Sequence, residues 1–207
     1  MTMTVRDAGG SRVYKLLSNG IHNIYNQVTA VAVLRELGMS HEEIGSYLEK
    51  TGIVKSRYEA EPVGDVTVVM QMAKEKNALA CSRAFDFVSH EPGQKELFLM
   101  MNCLGDEKHW SENVCWLYDC DYSALADPSL GKIVFGGPRC KDHYLRAMLA
   151  GVDPEKISIT ESCAQAADLM DLSLCKSVFV LHELYRAADA AAVKQRLLVR
   201  VREEEAV

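Results

Sequence analysis

Apolar residues recur at helical spacing over Asn23–Leu37. Ile24, Val28 and Val31 form one face, and Val33, Leu34 and Leu37 widen it. So broad an apolar surface predicts deep burial. Gly38 supplies a stop signal, and Ser40 with Glu43 makes a Ser-x-x-Glu capping box that opens a second helix to about Lys50, with Ile44 and Leu48 facing inward. After Gly52 the rhythm changes. Short apolar runs predict strands at Asp65–Met72, Glu96–Cys103, Lys132–Phe135, Lys156–Thr160 and Ser177–Leu181. Helical patterns fill Lys76–His90, Glu112–Tyr118, Pro138 to about Ala150, Ser162–Met170 and Leu184–Val201.

Short apolar strands alternating with helices argue for a parallel sheet covered on both faces. Right-handed crossovers then give a Rossmann-like, mostly parallel α/β sheet with flanking helices over residues 56–202. Residues 1–55 do not share that rhythm and read as a small helical segment preceding it. Glu203–Glu205 is an acidic, solvated tail.

Composition narrows the function classes. A chain of 207 residues with 48% hydrophobic and 25% charged positions is one globular domain or a domain plus a fragment, not a disordered or fibrous chain. The balance of 23 basic against 29 acidic residues, a net charge of −6, offers no basic surplus for nucleic acid. No apolar run is long enough to span a bilayer, and Met1–Arg12 has no apolar core of a signal peptide, so a cytoplasmic chain without a transmembrane segment is expected. The seven cysteines are odd in number and lack Cys-x-x-Cys spacing. They read as buried thiols of a reducing compartment, with no zinc or other metal site expected.

Four stretches could carry chemistry. Gly20-Ile21-His22-Asn23-Ile24-Tyr25-Asn26 opens the first helix. Free N–H groups there suit an anion, and the Asn23 and Asn26 amides suit a base edge, although an ordinary helix cap reads equally well. Ser56-Arg57-Tyr58-Glu59 marks the junction of the two parts and reads also as a surface pair. In Asn113-Val114-Cys115-Trp116-Leu117-Tyr118-Asp119-Cys120-Asp121-Tyr122, two carboxylates alternate with aromatics. Either they end a helix over core aromatics, or a rigidly held carboxylate orients a histidine brought from elsewhere. Gly136-Gly137-Pro138-Arg139 is a strand-to-helix turn, read as a tight turn with Pro138 at the first helical position or as a phosphate cradle. No Walker loop is present, so the chain is not expected to hydrolyse ATP alone.

Taken together, these stretches resemble the C-terminal part of Mur ligases, most closely the MurT-type subunit of lipid II isoglutaminyl synthase. The Gly20–Asn26 stretch resembles the family's Gly-x-His/Tyr-Asn-x-Tyr-Asn, and Ser56–Glu59 resembles its Gly-Arg-x-Glu. Ala73-Lys74 through Asn77, followed by Ala80–Asp86, is similar to the Ala-Lys-x-x-Asn-Pro segment and its helix. Asn113–Tyr122 resembles Asp/Asn-x-x-Trp-x-x-Asp-x-Asp-Phe. Gly136–Arg139 with Tyr144-Leu145-Arg146 and Ala150-Gly151-Val152 is similar to a late Gly-x-Arg…Leu-Arg…Ala-Gly-Val block.

The resemblance implies that residues 1–55 are a remnant of the central ATPase domain, with His22, Asn23 and Asn26 near the adenine. It places Arg57, Glu59 and Asn77 at the junction or substrate side. It implies a GatD-like glutamine amidotransferase partner, with which the family amidates the D-glutamate of the lipid II stem peptide. ATP and Mg serve the full-length family and are not expected on this chain alone. Asp119, with Asp121 second, is the candidate to complete the partner's catalytic Cys–His set. A non-catalytic docking module and an unrelated nucleotide-binding α/β protein are the competing readings.

Overall fold

The computed structural model describes residues 1–17, 21–51, 58–74, 76–101, 113–173 and 175–205, apart from the side chains of Ile21, His22 and Glu205. The expected extension of a strand to Cys103 and the expected helix start at Glu112 lie outside the described residues. So do Gly20, Ser56 and Arg57. The chain divides into two compact units, Met1–Lys55 and Ser56–Val207.

In the first unit an antiparallel hairpin, β1 (Thr2–Asp7) and β2 (Gly10–Lys15), precedes α1 (Ile21–Glu36) and α2 (His41–Lys50). The predicted capping box is present: Ser40 Oγ accepts from the Glu43 N–H, and the Glu43 carboxylate accepts from the Ser40 N–H. Tyr14, Val31 and Ile44 are the buried centre, with Met3, Val5, Leu34, Met39 and Leu48 packed around them. Asp7 joins the hairpin to both helices. It pairs with Arg35 at 2.7 Å and reaches His41 at 3.3 Å, and the Arg35 guanidinium together with the Gly9 N–H holds its carboxyl down at about 2. Gln27, buried in α1, donates to the Lys15 carbonyl at 2.7 Å and accepts from the Leu17 N–H.

Two expectations need correction here. Met1–Arg12 has no predicted element, yet it contributes β1 and the start of β2, because Met3 and Val5 alternate with outward Thr2, Thr4 and Arg6 before the turn at Ala8-Gly9. The broad apolar face of α1 is not deeply buried. Tyr25, Val28, Val33 and Leu37 are exposed, since the hairpin and α2 can cover only the face that carries Val31.

The second unit is a six-stranded sheet in the order β3-β4-β8-β5-β6-β7. The strands are β3 (Tyr58–Val63), β4 (Val66–Met72), β5 (Lys95–Met100), β6 (Leu130–Gly136), β7 (Ile157–Thr160) and β8 (Ser177–His182). All neighbours are parallel except β3 and β4, which form a hairpin across Gly64-Asp65 with Gly64 at φ +52°. Asp65, the expected first residue of the strand, is instead in the turn, and β3 before it is a strand that the apolar pattern does not predict.

The helices of this unit are α3 (Ala78–His90), α4 (Cys115–Asp119), α5 (Cys140–Leu149), α6 (Cys163–Ala166) and α7 (Ala187–Glu205). Every residue of β5 is buried, and its side chains alternate between two cores. Leu97 and Leu99 join α3, α4 and α5 with Phe85, Trp116 and Ala147. Phe98 and Met100 join α6 and α7 with Ala166, Val193 and Leu197. Crossovers that advance β5→β6→β7 place their helices on one face, and the return to β8 places α6 on the other, as right-handed connections require. The helix expected over Ser162–Met170 is one short α-turn followed by a 3₁₀ turn at Ala167–Leu169.

Gly136 ends β6 where a Cβ would stand 2.5 Å from the Phe98 ring, and Gly137 turns the chain at φ +83°. Pro138 lies in that turn, two residues before α5 begins at Cys140, rather than at its first position. Cys81, Cys120, Cys140 and Cys175 are buried as expected, but Cys115 is exposed at the start of α4; Cys103 is outside the described residues.

Polar groups locked in the second unit set its pH response. His143 of α5 is wholly buried, stacked on Phe135, and burial pushes it down to about 4. Its Nε2 faces the Met101 carbonyl at 3.0 Å and must donate, so its Nδ1 accepts from the Tyr122 hydroxyl at 2.7 Å. Glu96 of β5 is also buried. Burial pushes it up to about 8, although one carboxyl oxygen accepts from the Asp171 N–H.

These two groups act in opposite directions. His143 binds a proton more readily unfolded than folded, so its contribution is lost as pH falls from about 6.5 to about 4, and His182, also lowered by burial, has the same sign. Glu96 holds its proton more tightly folded, so its contribution is present below 4.5 and lost as pH rises toward 8. Urea denaturation across this range is expected to show stability falling as pH rises from about 6.5 to about 8 in the parent chain, where the opposing histidine effect is over and the Glu96 proton is still being lost. Glu96→Gln should flatten that limb and leave the acid-side loss. A second expectation concerns packing: Gly136→Ala drives a methyl into a ring that cannot move, and should cost about 1–3 kcal/mol in the same assay.

Candidate functional site

The two candidate carboxylates sit on one corner of the second unit. Trp116 and Leu117 bury the inner side of α4, and the chain turns at Cys120 before a 3₁₀ turn over Ser123–Ala126. Cys120 and Tyr122 point inward, so Asp119 and Asp121, which alternate with them, point out, and both are exposed. Tyr118 is exposed beside them.

The two acids are not equivalent. Asp121 Oδ1 accepts from the Ser123 N–H at 2.9 Å, and hydrogen bonds from Ser123 hold its carboxyl below the usual range. No hydrogen bond or ion pair engages the Asp119 carboxylate among the described residues. Its side chain is exposed, and among the described residues both carboxyl oxygens are left available.

The backbone of the corner is fastened from two sides. Arg146 of α5 donates from Nε to the Leu117 carbonyl at 3.2 Å and from Nη2 to the Cys120 carbonyl at 3.1 Å. These are the carbonyls that a helix end leaves without partners. The guanidinium lies over the Tyr118 ring at 5.5 Å and the Tyr122 ring at 5.4 Å. From α3, Ser82 Oγ accepts from the Asp121 N–H at 2.8 Å while donating to the Ala78 carbonyl. Arg146 and Ser82 lie within the family-like stretches of the sequence, which assign them no role. No local pattern could, since Ser82 lies 39 residues from Asp121 and Arg146 lies 26 from Cys120.

The remaining candidates are placed elsewhere. Asn77 is the N-cap of α3, and its Oδ1 accepts from the Ala80 N–H at 3.0 Å. Glu59 lies in β3 and pairs with Lys194 of α7 at 2.9 Å, with Glu61 on the same ammonium at 2.8 Å. The corner does not include these residues. In the first unit His22, Asn23 and Asn26 lie in the opening turns of α1, with Asn23 half-buried and Asn26 exposed. Asn23 is the third residue of the helix, so it does not cap it. Among the described residues no group of His, Cys, Asp and Glu is arranged to hold a metal ion, and no helix is long and apolar enough to cross a membrane.

The chain is 25% identical over 170 residues to the lipid II isoglutaminyl synthase (glutamine-hydrolyzing) subunit MurT of Streptococcus pneumoniae, covering 81% of this chain and 36% of that protein. It is 25% identical over 158 residues to the corresponding subunit of Staphylococcus aureus, covering 76% and 35%. It therefore spans about a third of the length of these relatives. In fold it is similar to MurF of Acinetobacter baumannii, with a TM-score of 0.67 at 18% identity over 94% of this chain and 42% of that one. MurF of Thermotoga maritima in complex with ADP gives 0.65 at 14% identity, over 98% and 44%. The family match, MurT ligase C-terminal, runs over residues 75–187, which takes in α3, the acidic corner and α5, and the chain belongs to that family.

Proposed function

We propose that this chain acts as the C-terminal part of a MurT-like subunit and lends a carboxylate to the active site of a GatD-like glutamine amidotransferase. The observation that carries this reading is Asp119: an exposed carboxylate without a local partner, on a corner fastened by two other helices, inside the matched family segment. In the partner, a histidine takes the proton of a cysteine thiol so that sulfur can attack the glutamine amide carbon. A carboxylate on the far ring nitrogen fixes the imidazole tautomer and stabilises the imidazolium. Asp119 is suited to that role because neither oxygen is spent on another of the described residues. Asp121, half-occupied by Ser123, ranks second.

That the relatives are subunits of a glutamine-hydrolyzing lipid II isoglutaminyl synthase supports amidation of the stem-peptide D-glutamate as the reaction of the complex. ATP, with Mg, would activate that carboxyl. The exposed Asn26 carboxamide and the neighbouring Asn23 carboxamide suit the edge of an adenine, offering donor and acceptor together.

Asp119→Asn keeps the shape and removes the charge. Glutamine hydrolysis by the complex is expected to fall by orders of magnitude, up to about 10⁴-fold, with assembly of the complex unchanged. Asp121→Asn should cost far less. A complex that assembles but shows no stimulation of glutaminase activity in the parent chain would instead favour a docking module.

A further inference from the structure

We propose that Arg146 and Ser82 are positioning residues for the trans-acting carboxylate, forming a two-point clamp that aims Asp119. The inference rests on the role proposed for Asp119 above. α4 has five residues, a single turn. A helix that short has no stability of its own, because nucleation fixes several residues for one hydrogen bond. Its direction must therefore be set by what holds it. The inner side is held by Trp116, Leu117, Cys120 and Tyr122 in the core, which sets depth and which side chains turn outward but leaves the exposed peptides of the turn to be fixed.

That course is set by polar contacts. Arg146 bridges the carbonyls of Leu117 and Cys120, which lie on either side of Tyr118-Asp119. An arginine beside two aspartates could pair with either. Here its Nε and Nη2 go to backbone oxygens and its face to Tyr118 and Tyr122, so no salt bridge occupies Asp119. The cation also sits where the end of α4 gathers partial negative charge. Ser82 fixes the next peptide by accepting from the Asp121 N–H, and Ser82 is itself anchored on the Ala78 carbonyl. Two consecutive residues are thus tied at three atoms, Cys120 O, Asp121 N and Asp121 Oδ1, and the side chain left projecting is that of Asp119. A carboxylate aimed in this way can meet a partner imidazole without reordering, and small misplacement of such a group is costly.

The test reads glutamine hydrolysis by the chain in complex with a GatD-like glutaminase. Arg146→Lys keeps the charge but cannot fork across two carbonyls. It should lower kcat by ~10–100-fold with KM for glutamine changed by less than about twofold. Ser82→Ala should lower kcat in the same sense by a smaller factor. The double variant Asp119→Asn/Arg146→Lys should be no slower than Asp119→Asn alone, because Arg146 acts through Asp119. Partner affinity should be unchanged in each.

Full kcat in Arg146→Lys beside a crippled Asp119→Asn would overturn the clamp and leave the role of Asp119 standing. So would a double variant slower than Asp119→Asn by the whole Arg146→Lys factor. A fully active Asp119→Asn would remove both. Should Arg146→Lys not fold, Ser82→Ala, alone and combined with Asp119→Asn, decides the question by the same comparison.

Discussion

Burial of both faces of the central strands governs this molecule. β5 has no exposed residue, and β8 is covered from Val178 to His182. A strand in that position needs helices on either side, and each side must be filled by residues of alternating parity: Leu97 and Leu99 against α3, α4 and α5, Phe98 and Met100 against α6 and α7. The lengths and order of the crossovers follow. Gly136 is drawn into the same constraint, since the Phe98 ring that fills one core leaves no room for its Cβ.

The acidic corner is a by-product of that layering turned to use. α4 lies between α3 and α5 on one face, and each neighbour contributes one polar group to its exposed end. Beneath it, Tyr122 and His143 carry the hydrogen bonding inward to the Met101 carbonyl at the end of β5. The corner is thereby connected to the middle of the sheet through groups that each have a defined partner.

The apolar runs of the sheet were legible because a strand buried on both faces needs no alternation, and Val66–Met72 and Ser177–Leu181 carry such runs. Ser40 and Glu43 announced α2 through a local rule that the structure satisfies atom by atom. The two hairpins were harder. β3 mixes Glu59, Glu61 and Pro62 into its pattern, and its Gly64-Asp65 turn runs directly into the stronger apolar run of β4. That Asp119 and Asp121 would face outward was not decidable from spacing. It depends on Cys120 and Tyr122 turning in, and on bonds to residues more than twenty positions away. Cys115 shows the same gap in reverse: a residue type that is usually buried is exposed because α4 is too short to bury more than one side.

The two rims of the sheet have a consequence for how another protein could join this one. At one rim β3 carries Pro62 opposite Thr67, whose N–H is directed to the far side, toward the Lys176 carbonyl, so that the missing N–H of Pro62 falls on the open side. At the other rim β7 is four residues long. Neither margin offers a long, regular row of donors and acceptors, which discourages recruitment of a foreign strand into the sheet. Association with a second polypeptide is thereby steered to side chains on helices and turns, a mode in which recognition depends on shape and charge rather than on continuing the β-ladder.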